Sequence, residues 1–223
     1  MKPKYQKHIA INQDNQQTAG KLGDYKPYLA IDRDGCLVGN LGDYRNNSPS
    51  QYKSQEMPLI TPTIRQLQEI DIPVIIISNQ AGIEKGYVSY EQVVGQFIWL
   101  MDTMAKEGIT CIGSMFCPDY AGASCHFVRA GKLPITGLSM VKTYTVAKVI
   151  SGQAANFRKP GPGMGVLSES LASEYGCDSC FGYVGDLSGI PGYAPTSHEP
   201  ASDKLFAESW GVPYYDINDF LAL

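Results

Sequence analysis

Two aspartates one residue apart, Asp32 and Asp34, close a short apolar run, Tyr28-Leu-Ala-Ile31, and are followed at once by Gly35. On an extended backbone the side chains at i and i+2 point the same way, so the pair can share one metal ion or one phosphate. The same letters also suit a solvated turn, which favours Asp and Gly for its own reasons. Three later stretches bear on the choice. Val74-Ile-Ile-Ile-Ser78-Asn79 ends a β-branched run in a hydroxyl and an amide. Arg158-Lys159-Pro160 puts a basic pair just ahead of a helix start, and Val184-Gly-Asp186 ends another apolar run in an acid.

Taken together these groups suit phosphoryl transfer, which needs charge neutralisation, an in-line nucleophile and a proton for the leaving oxygen. A carboxylate can attack phosphorus, but two anions repel. Mg2+ held by Asp32, Asp186 and the backbone carbonyl of Asp34 would remove that repulsion, since hard oxygen donors suit it. Lys159 and Ser78, with Asn79 and Arg158 beside them, would hold the remaining phosphate oxygens. Asp34 would donate the leaving-group proton and then activate water.

These residues need a scaffold that brings strand ends to one edge. The run at 28–32 reads as a strand buried on both faces, and Ile72 to Ser78 as a central parallel strand. Between them Thr61 to Ile70 reads as a helix capped by Thr61, with Pro62 in its first turn and Ile64, Leu67 and Ile70 on one face. Ser89 to Lys106 is a second helix, with Ser89 as cap and Gln92 three positions on. Ile109 to Phe116 and Phe181 to Asp186 are further strands, Gly161 to Tyr175 and Ala201 to Gly211 further helices, and Pro213 to Tyr215 an edge strand. Leu205, Phe206 and Trp210 are expected inward on the last of these helices. The alternation predicts an α/β fold: a Rossmann-like, doubly wound, mainly parallel sheet with helices on both faces. Residues 1–27 read as a polar arm and 28–223 as the domain. Residues 117–157 read as a small inserted loop region, in which 141–150 fits a short helix or a strand equally well.

Composition narrows the function classes. The chain has 223 residues, 43% of them hydrophobic and 18% charged, ordinary for a soluble globular domain. A net charge of −4 argues against a broad basic surface for nucleic acid. No apolar stretch approaches the roughly 18 residues of a membrane span, and no apolar signal core follows Met1, so a cytoplasmic location is expected. The six cysteines are too scattered for a disulfide scaffold.

The ordered set Asp32-x-Asp34-Gly, Ile-Ile-Ser78-Asn79-Gln80, Arg158-Lys159-Pro and Val-Gly-Asp186 resembles the four motifs of haloacid dehalogenase (HAD) superfamily phosphatases. The resemblance spans about residues 28 to 220. It implies a phosphomonoester substrate, Asp32 as nucleophile, Asp34 as acid/base, Ser78 and Lys159 as phosphate ligands and Asp186 as a Mg2+ ligand. Cys36 departs from the threonine usual at that position. Two subfamilies compete. Gly185-Asp-Leu-Ser-Gly-Ile-Pro, Ser202-Asp203-Lys and Trp210-Gly-Val-Pro-Tyr214 resemble the 3′-phosphatase domain of polynucleotide kinase-phosphatases, which implies a nucleic acid 3′ end as substrate. This is the leading expectation. Ser78-Asn-Gln-Ala-Gly-Ile-Glu-Lys-Gly-Tyr87, Arg33 and Phe116-Cys-Pro118 resemble heptose bisphosphate and histidinol phosphate phosphatases, which act on small molecules. A catalytically idle, phosphate-binding member is a further alternative, against which the pairing of Asp34 with Asp32 speaks.

The second likeness also implies a zinc loop. Cys117, Cys125 and His126 offer two thiols and an imidazole, with a possible carboxylate as fourth ligand, for a structural Zn2+, beside the plain reading of buried thiols and a surface histidine. The first likeness implies that Asp203 is an outer support for the metal site, beside its plain reading as a helix cap. Arg129, Lys142 and Lys148 could face a nucleic acid backbone or simply solvent. His198, near the proposed mouth, could touch substrate or be a solvated loop histidine, and the loop tyrosines Tyr44 and Tyr193 could stack on a base or sugar or be ordinary surface tyrosines.

Overall fold

The β-branched and aromatic runs pair into one seven-stranded sheet in a computed structural model that describes residues 26–39, 57–129, 141–145, 156–186 and 201–223. The strands are β1 (Pro27–Ile31), β2 (Val74–Asn79), β3 (Cys111–Cys117), β4 (Ser124–Arg129), β5 (Val141–Thr145), β6 (Ser179–Gly185) and β7 (Tyr214–Asp216), in the order β5-β4-β3-β2-β1-β6-β7. The five strands from β3 to β7 across β1 run parallel, and β4 and β5 add an antiparallel edge. The helices are α1 (Thr61–Ile70), α2 (Tyr90–Lys106), α3 (Gly163–Ser173), α4 (Ser202–Trp210) and α5 (Ile217–Leu221).

The period-2 alternation of the central strands divides the core in two. Leu29 and Ile31 of β1, with Val74 and Ile76 of β2, pack under α1, α2 and α5 through Ile64, Leu67, Phe97, Leu100 and Phe220. Tyr28, Ala30, Ile75 and Ile77 face the other way, against Met164, Leu167 and Leu171 of α3 and Phe206 of α4. Helices thus cover both faces, and the fold class matches the expectation. α2 opens on the full capping box, with Ser89 and Gln92 satisfying each other's backbone N–H groups.

Three local expectations change. The N-cap of α1 is Ile60, and Thr61 is already helical. Leu205 is 47% exposed, because α4 turns Phe206 and Ala207 inward instead. Within the region read as an inserted loop, residues 124–129 and 141–145 are strands of the main sheet. The arm up to residue 25 lies outside the described residues, as do 40–56, 130–140, 146–155 and 187–200, and with them Tyr44, Lys148, Tyr193 and His198.

Candidate active site

The sheet order places β1 between β2 and β6, so the residues at the carboxyl ends of these three strands meet. Asp32 leaves β1, Ser78 and Asn79 end β2, and Asp186 leaves β6. Lys159 enters from the segment ahead of α3, and Asp203 from the first turn of α4. Carboxylate oxygens of Asp32, Asp186 and Asp203 all lie within 4.8 Å of one another, the one such donor group among the described residues.

Lys159 is buried among them. Its ammonium donates to Asp203 Oδ1 at 2.6 Å and to the Tyr183 hydroxyl at 2.8 Å, and pairs with Asp32 Oδ2 at 3.1 Å. Tyr183 in turn donates to Asp203 Oδ1 at 2.9 Å. Burial alone would push the lysine down, but Asp203 and Asp32 outweigh it and hold Lys159 above its ordinary value. The acids feel the converse. Burial, opposed by Lys159 but reinforced by Asp203 and Asp34, raises Asp32 to about 7. Burial together with Asp32 and Asp203 raises Asp186 to about 8. Three carboxylates against one ammonium leave a buried excess of negative charge at one point. That donor set, all hard oxygen, fits a divalent cation such as Mg2+.

The turn after β1 makes this approach possible. Gly35 has φ +81°, and a Cβ there would collide with the Asp186 carboxylate. Only glycine satisfies both demands. Gly185 is similarly constrained, since a Cβ would lie 2.5 Å from that of Asp203.

Asp34 takes a different neighbourhood. Arg33 grips it through Nε at 3.1 and 3.2 Å and through a terminal nitrogen at 2.9 Å, and Gln80 Nε2 donates to it at 2.8 Å. Gln80 Nε2 also donates to Ser78 Oγ at 2.9 Å. Asn79 lies at the same edge, but its amide is engaged with the backbone of Lys159 in both directions, at 2.9 and 3.0 Å. It pins the lysine loop to β2. The Arg158 guanidinium lies over the ring of Tyr120, 4.4 Å from its centroid.

The cap reading of Asp203 is not the one realised. The N-cap of α4 is Ala201 without a side-chain bond, and Asp203 is fully buried in the acidic cluster. The zinc reading is also corrected. Cys125 and His126 are neighbours on a strand and so face opposite sides of the sheet. Cys125 and Cys117 sit in the apolar core with their thiols pushed up by burial. His126 stacks on Phe116 and shares a hydrogen bond of 3.1 Å with Tyr90. Arg129 is engaged with Tyr175 and Glu174; the side chain of Lys142 lies outside the described residues.

Sequence reasoning assigned no role to Gln80, Gln96 or Tyr183. The one available signal was Gln96, a polar residue on the apolar stripe of α2 between Val93, Phe97 and Leu100. It accepts from Arg33 at 3.2 Å.

The family described as "Polynucleotide kinase 3 phosphatase" matches residues 28–221. A D-glycero-beta-D-manno-heptose-1,7-bisphosphate 7-phosphatase of Rhodopseudomonas palustris is 28% identical over 178 residues, 75% of this chain and 82% of that enzyme. A protein of the same description from Yersinia pestis is 26% identical over 98 residues, 44% of this chain and half of that one. Among solved structures, a protein of Mesorhizobium loti assigned to the HAD-like phosphatases superposes with a TM-score of 0.51 at 20% identity, covering 92% of this chain and 89% of that one. That likeness concerns the fold. With the family matched along nearly the whole described domain, the chain belongs to the polynucleotide kinase 3 phosphatase family and is a phosphatase with a HAD-like fold.

Proposed function

We propose that the chain hydrolyses a small sugar phosphomonoester through a covalent phosphate on Asp32. The observation that carries the chemistry is the convergence of Asp32, Asp186, Asp203 and the buried Lys159 at one sheet edge, with Asp34 alongside. Asp32 attacks phosphorus and the bond from phosphorus to the leaving oxygen breaks. Asp34 gives that oxygen its proton. Water then attacks the acyl phosphate, Asp34 takes the water's proton, and the Asp32–phosphorus bond breaks to release phosphate. Ser78 holds a phosphate oxygen, and the ammonium of Lys159, beside Asp32, neutralises the transferring group. Asp32, Asp186 and Asp203 would hold Mg2+, which when bound neutralises the carboxylates and the transferring group.

The substrate class rests on a different footing. The curated relatives named above are heptose bisphosphate phosphatases, and the acidic chain, with net charge −4, suits a small substrate better than a polyanion. This reverses the order suggested by the sequence around Asp186 and Asp203. A 3′-phosphorylated nucleic acid end is the second reading, favoured by the family match over residues 28–221.

Phosphate release from heptose bisphosphate, histidinol phosphate and 3′- and 5′-phosphorylated oligonucleotides, with and without Mg2+, tests both. Turnover of the bisphosphate at least about tenfold above the oligonucleotides, as kcat/KM, is expected; each tenfold is about 1.4 kcal/mol of transition-state binding. Preference for the 3′-phosphorylated strand would replace the first reading with the second. Asp32→Asn should lower turnover at least about 10³-fold on every substrate, because the covalent step is gone. An Asp32→Asn protein with near-normal turnover would remove Asp32 as the nucleophile.

A further inference from the structure

Gln80 is 2% exposed and has every amide group engaged. Its Nε2 donates to Asp34 Oδ2 and to Ser78 Oγ, while its Oε1 accepts from Arg33 at 2.9 Å. The partners fix the orientation of the amide: reversed, it would set an oxygen against the Asp34 carboxylate and an NH2 against the guanidinium. Arg33 is itself buried, held by Gln96 and by the face of Phe97, 4.9 Å from the ring centroid. The carboxylate they grip has 24% of its side chain exposed, on a turn beside a glycine. Left to itself such a side chain would sample several rotamers, and a proton donor out of place by an ångström loses much of its effect.

We propose that Gln80, backed by Arg33, is a positioning residue that holds Asp34 for proton transfer and ties it to Ser78 at the phosphate site. The inference rests on the reading of Asp34 as acid/base. One amide contacts the group that binds the phosphate and the group that serves the leaving oxygen, so the two are set at a fixed separation. A glutamate at this position keeps the size and the contact to Arg33. It replaces the donor facing Asp34 with a second anion, which the carboxylate repels.

Two ester types separate this role from a structural one. p-Nitrophenolate leaves without a proton, whereas an alkoxide needs one, and release of phosphate from Asp32 needs the base in either case. The reference is Asp34→Asn with p-nitrophenyl phosphate: one equivalent of nitrophenol in a rapid first turnover, then slow release. Gln80→Leu should show the same one-equivalent burst, its rate falling less than the alkyl turnover does; in Gln80→Glu the anion beside Ser78 also slows the burst. Their steady-state turnover of the best alkyl ester in the phosphate panel should fall about 10- to 100-fold, part of the roughly 10²–10⁴ that general acid–base catalysis supplies. Equal losses in the burst and in alkyl turnover of Gln80→Leu would reduce Gln80 to a structural residue, and unchanged alkyl turnover would remove it from the reaction. If Asp34→Asn itself gives no stoichiometric burst, the acid/base reading fails instead.

Discussion

At the scale of single residues the site is a knot of groups that satisfy one another. Tyr183 makes the point, because its hydroxyl bonds to both Lys159 and Asp203. Tyr183→Phe keeps the ring, which packs edge-on against Phe206, and removes only the hydroxyl. Leaving two buried charged groups one partner short should lower stability by about 1–3 kcal/mol, or about 2 to 12 °C in Tm for a chain of this size. Thermal unfolding of the metal-free protein measures it; an unchanged Tm would mean that water or a rearranged Lys159 makes good the loss. The acids of the cluster were legible in the sequence, since few residue types could attack phosphorus and Asp32 and Asp186 stood at the ends of apolar runs. Tyr183 and Gln80 were not. A tyrosine in a strand and a glutamine after one have many ordinary explanations, and their partners lie 20 and 46 residues away. Only the folded chain shows that those distances close.

At the scale of elements, the parallel strands and α2 were readable because each carries a redundant pattern, an unbroken β-branched run or a capping box. β4 was not, since Ser124-Cys-His-Phe-Val-Arg129 mixes thiol, imidazole and guanidinium in a segment that also looks like a ligand loop. Its identity as an antiparallel strand is settled by pairing with β3 and β5, a tertiary effect that propensity does not encode. The turn that joins β1 to the site is the element on which the proposed chemistry most depends. Gly35→Ala asks a left-handed backbone to carry a Cβ, a cost of about 1–2 kcal/mol, and drives that Cβ into Asp186. The variant should melt lower by about 2 to 8 °C on that cost alone and lose affinity for Mg2+, read as a higher cation concentration for half-maximal activity. Normal Mg2+ dependence in Gly35→Ala would mean that Asp186 can move without harm and is not held for a cation.

At the scale of the whole molecule the fold stores an electrostatic imbalance at one edge, and stability should register it. Asp32 and Asp186, raised to about 7 and about 8 in the folded chain, have ordinary values near 4 when unfolded. Below about pH 4 both are neutral in either state and carry no penalty. As the pH rises from there toward 8, the unfolded chain ionises freely while the folded site resists, so stability falls across that window and levels off above it. Lys159, held above its ordinary value, stays charged throughout and does not cancel the trend. A divalent cation reverses the sign, because it binds the ionised acids of the folded chain. At a hundred times its Kd it adds about 2.7 kcal/mol, or about 5 to 10 °C. The gain in Tm on adding Mg2+ should therefore be large at about pH 8.5 and much smaller at about pH 5.5, where protons compete for the same oxygens. Asp186→Asn should flatten the pH slope of the metal-free protein and abolish most of the gain. A gain equal at both pH values, or one that survives in Asp186→Asn, would place the cation away from the three acids and break the link between the charge stored at the sheet edge and the chemistry assigned to it.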